Sequence, residues 1–150
     1  NMYGADLGVH YHPHFFHRLH IESSYSYLRA INSNNEFIDQ IPPGKWMTNI
    51  KIEFDEKEGF YFKNIVIRNN FILAQNEVAQ NELPSKGYNL VDFGINSVVK
   101  TKQNEINLNA GVKNILNCNY VDHLSNLKYL NIAGPGINYY VGIKFNIINK

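Results

Sequence analysis

Seven stretches of the chain alternate apolar and polar residues with a period of two, and helical periodicity is nearly absent. Each run covers about 9 to 16 residues. Residues 3 to 11 set Tyr3, Ala5, Leu7, Val9 and Tyr11 against Gly4, Asp6, Gly8 and His10. Residues 16 to 29 set Leu19, Ile21, Ser23, Tyr25 and Tyr27 against His20, Glu22, Ser24 and Ser26. Residues 45 to 54, 88 to 99, 105 to 113 and 138 to 147 repeat the pattern. Residues 59 to 74 break it. There Tyr61, Ile65, Ile67, Phe71 and Leu73 share parity with Lys63 and Asn69, which predicts a register-shifting bulge.

The runs are long for a soluble domain, where strands cluster near ~5–6 residues. A tilted strand crossing a bilayer needs roughly 9–11. The connections point the same way. Residues 12 to 14, 55 to 58 and 100 to 104 are short, and residues 30 to 44, 75 to 87 and 114 to 137 are long. Strict alternation of short turns and long loops is the habit of outer-membrane barrels, whose short turns lie at the periplasmic end. That assignment makes the C-terminus periplasmic. Two aromatic belts follow: Tyr25, Tyr27, Trp46, Phe71, Tyr88 and Tyr139 near the outer ends, and Tyr11, Phe16, Phe54, Tyr61 and Phe145 near the inner ends. Eight steps from Trp46 to Phe54 at ~3.3 Å, tilted by ~40°, span about 20 Å, close to the height of such an apolar band. The fold expected is all-β: an antiparallel up-and-down transmembrane barrel segment. Seven strands would leave two open edges in lipid, so the object is expected to be a larger barrel.

Composition removes other classes. The net charge of +1 lacks the basic field of a nucleic-acid binder. Cys118 is the single cysteine, so neither an internal disulfide nor a cysteine-based zinc site can form. No run of eighteen apolar residues offers a transmembrane helix. The opening NMYGADLG has neither the basic start nor the apolar core of a secretion signal.

The segment VKNILNCNYVDHLS, Val112 to Ser125, resembles the penultimate-strand box of TonB-dependent outer-membrane receptors. Asn114, Ile115, Leu116, Asn117 and Tyr120 carry the likeness, with Ile–Leu in place of Leu–Phe. The following DHLSNLKYLNIAGPGIN is similar to the last extracellular loop of the Bacteroidetes-type members, with Pro135 and Gly136 where the family has Pro-Gly-Arg. Ile137 replaces that Arg. HPHFFHRLHIESSYSYLRA with IPPGKW, and AQNEVAQNELPSKGYNLVDFGI, resemble the family's earlier turns, strands and loops. The final YYVGIKFNI resembles a barrel-assembly signal through Gly142, Phe145 and Ile147, although the chain runs on through Ile148, Asn149 and Lys150.

The resemblance implies a 22-stranded barrel of which this chain is the C-terminal part, about the last seven strands, without the plug domain and signal peptide. It implies uptake of a scarce ligand (iron chelate, haem, cobalamin or glycan) using TonB-transmitted energy. The implied partners are outer-membrane lipids, the barrel-assembly machinery, TonB acting through the absent plug, and an extracellular ligand. A small stand-alone pore or adhesin barrel is the alternative. A soluble β-sandwich that binds a carbohydrate or protein is the third reading.

Five of the six histidines fall in HYHPHFFHRLH, His10 to His20. His12, Pro13 and His14 are expected to form the periplasmic turn, because proline presets a turn-compatible φ and offers no ladder donor. The spacing could join His10 with His12, or His12 with His14, only across an irregular turn. A partly hydrated turn is therefore expected rather than a metal site, which needs three or four converging ligands. Ser23, Ser24 and Ser26 near Glu22 and His20 lack the convergence of a catalytic set. Asp122 and His123 read as loop structure, and Gly134, Pro135 and Gly136 as turn chemistry. No catalytic residue, cofactor or metal is expected.

Overall fold

The computed structural model describes residues 1–101 and 104–147, with side chains through Asn146. The middle of the 100–104 turn and the tail Ile148, Asn149 and Lys150 lie outside the described residues. Seven strands run in order: β1 (Met2–Tyr11), β2 (Leu19–Ala30), β3 (Lys45–Glu53), β4 (Gly59–Ile72), β5 (Tyr88–Lys100), β6 (Asn104–Lys113) and β7 (Asn138–Ile147). They form one antiparallel up-and-down sheet in the order β1-β2-β3-β4-β5-β6-β7. One 3₁₀ turn, Asn126–Leu130, is the only helical element among the described residues.

Two boundaries move from their sequence expectation by two or more residues. The second strand begins at Leu19, not at residue 16, because Pro13 O accepts from Phe16 N at 3.1 Å and Phe16 O accepts from Leu19 N at 3.0 Å. The first connection is thus two consecutive turns over residues 12–18, with Pro13 buried inside. The fourth strand ends at Ile72, and Leu73 N still donates to Gly44 O at 2.8 Å, one step further along the β3–β4 register. Short and long connections still alternate along the chain.

Direct partners in an antiparallel ladder share a face. The ladder pairs therefore connect one surface across the sheet. Leu7, Tyr25, Trp46, Phe71 and Asn89 form one row; Ile21, Ile50, Ile67, Phe93, Val112 and Tyr139 form another. This face is apolar and nothing of the described chain covers it. Leu7 is 67% exposed, Val141 80% and Phe145 70%. The opposite face carries Asp6, His10, Glu22, Asn49, Arg68, Asp92, Asn96, Asn107, Asn109 and Lys144. Every buried apolar strand residue among those described, namely Ala30, Tyr61, Val66, Ile72 and Val98, lies on this second face. Burial is thus inverted relative to a sandwich, whose apolar side would be the hidden one.

The bulge expected in the fourth strand falls between Phe62 and Asn64. Phe62 pairs with Ser97 and Asn64 with Asn96, leaving Lys63 without a partner. One extra residue flips every side chain before it. Phe60 and Phe62 therefore join the apolar face, and Tyr61 sits on the polar one, 7% exposed. That corrects the placement of Tyr61 in the inner aromatic belt. Tyr88 is a second correction. It pairs with Ile72 on the polar face and stacks on Tyr120 at 4.5 Å between centroids.

The apolar face has a polar notch, the row Ser23, Thr48 and Asn69, besides separate polar residues such as Asn89 and Ser97. Ser23 and Thr48 hydroxyls lie 3.3 Å apart, and Trp46 Nε1 donates to Ser23 Oγ at 2.7 Å. The hydroxyl thereby satisfies the indole N–H from within the protein.

A charge placed on the apolar face is expected to cost more than the same charge on the other. Ile67→Arg should lower stability in lipid vesicles by roughly 2–4 kcal/mol, and Asn107→Arg by much less. Urea titration of vesicle-inserted protein measures both. Equal losses would show that the two faces meet the same medium.

Candidate functional site

The three long connections, residues 31–44, 73–87 and 114–137, emerge at one end of the sheet and fasten to one another. Their meeting point is Glu82. Lys128 Nζ approaches Glu82 Oε1 at 3.2 Å, and His123 Nε2 lies 3.2 Å from the same oxygen. From the first loop, Gln40 N donates to both carboxylate oxygens at 3.3 Å. Gln40 holds a positive φ of 56°, which turns its N–H toward the carboxylate. The His123 side chain is 1% exposed, and those of Glu82 and Lys128 are 6%. One carboxylate thus joins three loops.

His123 Nδ1 faces Ser85 Oγ at 3.0 Å and Lys128 Nζ at 3.4 Å. An ammonium can only donate, so Nδ1 is assigned the acceptor role and the N–H falls on Nε2, which lies 3.2 Å from Glu82 Oε1 but makes no hydrogen bond. Burial pushes the His123 pKa down and Lys128 adds to this, against the pull of Glu82. For Glu82, burial pushes the pKa up, but the hydrogen bond and charge of Lys128 outweigh it and hold the carboxyl below its ordinary range. Ser85, His123 and Glu82 stand in a row. Lys128 occupies the same ring nitrogen as Ser85, and the imidazole is shut from solvent. The group is built as a junction between loops.

The residues matched to the receptor-like box do come together. Asn114, 4% exposed, adopts a φ of 50° at the end of β6. Its Nδ2 donates to Cys118 O at 2.9 Å and Pro135 O at 3.2 Å, and its Oδ1 accepts from Cys118 N at 2.8 Å. Its backbone N–H is held by Asp92 Oδ1 at 2.9 Å. Asn117, with φ 49°, accepts from Ile137 N at 3.1 Å beside Gly136. Tyr120 lies so close to Gly134 that an added Cβ would stand 2.4 Å from the ring. Asn114, Asn117 and Tyr120 therefore clasp Pro135, Gly136 and their neighbours, closing the long third loop at its base. Leu116 takes no part and is 63% exposed.

On the last strand, Gly142 faces Asn109, whose Oδ1 would be 2.4 Å from a Cβ there. Phe145 projects from the apolar face near the short-turn end, and the Ile147 backbone pairs with Asn104. The third loop and the second also line a cavity of about 690 Å³, with Ser85, Tyr88, Asn119, Tyr120, Lys128 and Tyr129 on its walls. That volume is in the range of small-molecule clefts.

At the opposite end, the structure gathers His10, His12 and His20 and leaves His14 and His17 outside the group. Reading the stretch by spacing missed His20. Its signal was present, since a hairpin register sets residues of constant summed number face to face.

No protein-family model matches this chain, and no curated protein matches it. Nineteen chains of solved structures match it in fold. One is described as the copper transporter OprC, with a TM-score of 0.77 and 20% sequence identity. The match covers 98% of this chain and 23% of that one. The chain thus spans less than a quarter of the neighbour it matches, and the likeness at this identity is one of fold.

Asn114→Ala is expected to free the base of the third loop. The loss of buried hydrogen bonds and the left-handed φ together should cost roughly 2–4 kcal/mol. Asn114→Gly, which keeps the backbone conformation, should cost about half as much. Protease cleavage within residues 114–137 reads the effect, with strand content checked by circular dichroism.

The Glu82 junction should weaken on acidification. Both His123 and Glu82 have folded pKa values below their unfolded ones, so both stabilise above the unfolded value and lose this as pH falls. The first loss begins below about pH 6.5 and the second below about pH 4.3. The protection factor of the Gln40 amide, its exchange corrected for the intrinsic pH dependence, should fall in those two stages.

Proposed function

We propose that this chain is a section of the wall of an outer-membrane receptor that takes up a scarce ligand using TonB-transmitted energy. The single observation that carries the reading is the continuous uncovered apolar face. It spans all seven strands, ends in aromatic side chains, and is backed by a polar face. Such a layer suits lipid on one side and a wet lumen on the other.

Among the described residues β1 and β7 are each paired on one side only. In hydrocarbon an open ladder leaves backbone groups with no partner, so further strands must close the sheet. This supports a place in a larger barrel, about 22 strands by the receptor resemblance, with the chain as its C-terminal part. The neighbour's much greater length agrees with that. The receptor-like box Asn114, Leu116, Asn117 and Tyr120 and the assembly-like Gly142, Phe145 and Ile147 favour the same family, Bacteroidetes-type members included. Plug, TonB contact and secretion signal belong to the rest of such a receptor. The C-terminus is periplasmic on this reading, and the long loops face outward to meet the ligand.

The cavity between the second and third loops is the candidate contact for that ligand. Its tyrosines and asparagines offer stacking faces and neutral hydrogen-bonding groups. An iron chelate, haem, cobalamin or glycan would each use such a surface. The neighbour, a copper transporter, adds a metal ion to the classes worth testing.

Trp46 is the single tryptophan and stands 54% exposed on the apolar face near the long-loop end. In vesicles of brominated lipid its fluorescence should be strongly quenched, most by bromines placed high on the acyl chain. A water-soluble quencher should act weakly. The reverse order, in a chain that melts cooperatively without detergent, would sink the membrane reading.

A further inference from the structure

Three imidazoles meet at the short-turn end of the β1–β2 hairpin. His10 is on β1, His12 follows its last residue, and His20 is the second residue of β2. His10 pairs with Glu22, and the same register carried two steps further sets His12 opposite His20. Ring centroids are 4.3 Å apart for His10 and His12, and 4.2 Å for His12 and His20. One ring nitrogen from each of the three lies within 4.8 Å of the other two.

Neighbouring groups brace the turn and place carboxylates behind two of the rings. Pro13 is buried beneath the turn, and the turn closes on itself through Phe16 N to Pro13 O. Arg18 pairs with Asp55, tying this turn to the next one. Glu53 Oε2 lies 3.2 Å from His20 Nε2, and Lys51 fixes the other Glu53 oxygen at 2.8 Å. Glu22 Oε1 lies 3.8 Å from His10 Nε2. A carboxylate behind a ligating histidine is the usual outer support of a metal site, because it orients the ring and raises its basicity.

We propose that His10, His12 and His20 bind one divalent transition-metal ion of the zinc, copper and nickel class. Three imidazoles supply the ligands and the fourth position stays open to water or a passing group. The donor set suits these ions and not calcium or magnesium, which take oxygen. A tetrahedral ion with bonds of ~2.0–2.1 Å wants its ligand nitrogens about 3.3 Å apart. His10 and His12 are exposed, so rotation of their side chains closes the difference without moving the strands. The site needs only the hairpin, so it stands or falls apart from the transport reading.

The test uses the full-length polypeptide that carries this chain, in detergent micelles. Zn²⁺ is titrated against a chromophoric chelator, and Co²⁺ then reports coordination through its visible absorption. One equivalent of Zn²⁺ and an intense four-coordinate Co²⁺ band are expected. Both should be lost in His12→Ala and in His10→Ala/His20→Ala, and kept in His14→Ala/His17→Ala. Glu53→Gln should weaken Zn²⁺ binding roughly 10–100-fold. His12 lies outside the strand ladder, so its substitution leaves the hairpin pairing intact, which circular dichroism verifies. The proposal is overturned if the wild type binds no Zn²⁺, or binds it no better than His12→Ala. It is equally overturned if the loss follows His14 and His17, or if the urea-unfolded chain binds as tightly as the folded one.

Discussion

The backbone ladder is the constraint from which everything else in this molecule follows. A sheet one layer thick has no second layer to shield its peptide groups. Each N–H and C=O must therefore find its partner on the adjacent strand. The chain answers with seven strands of nine to fourteen residues, each paired to its sequence neighbour along nearly its whole length. Once the ladder is set, the pleat sorts side chains into two faces, and the medium on each face selects the residue type. The same need explains the notch on the apolar face. Trp46, Ser23 and Thr48 satisfy one another where a lone polar group would be costly.

The two ends of the sheet serve different tasks. At the short-turn end the chain reverses quickly, and proline and an ion pair between neighbouring turns suffice to hold it. At the long-loop end, loops of this length would be mobile if left to themselves, since ordering each residue costs about 1–2 kcal/mol. Two devices offset that cost. Asn114 and Asn117 clasp the base of the third loop, using left-handed backbone that asparagine tolerates. Glu82 then joins that loop to the other two through a buried charge with several partners. A buried carboxylate is costly alone, so removing any partner exposes the remainder to the full desolvation penalty. The loops are therefore ordered as a unit, and the cavity they line is shaped in advance of any ligand.

Much of this was legible in the residues. The period of two located all seven strands, and the parity conflict around Lys63 marked the bulge that the register confirms. The resemblance to a receptor box singled out Asn114, Asn117 and Tyr120, but it did not show the clasp or the carbonyl and amide they hold. Tyr61 was misplaced because a bulge changes the face of every residue beyond it. Tyr88 shares parity with Asp92 and Gly94, so its own run already set it on the polar face, and only its place at the strand end had put it in a belt. His20 escaped because hairpin partners are matched by register, not by distance along the chain. His123 was read as loop structure, which is its role, but its partners Glu82, Ser85 and Lys128 escaped, being ordinary loop residues until the loops converge.

The sequence by itself determined the strands, their two chemically distinct faces and the alternation of short and long connections. Those features are local, because a strand's pleat and a turn's chemistry are written within a few residues. Only the tertiary structure decided which histidines meet and which loops share a carboxylate. Glu82 and Lys128 are 46 positions apart and carry no mutual periodicity. Contact between such residues depends on where a whole sheet delivers its loops, and no local pattern records that.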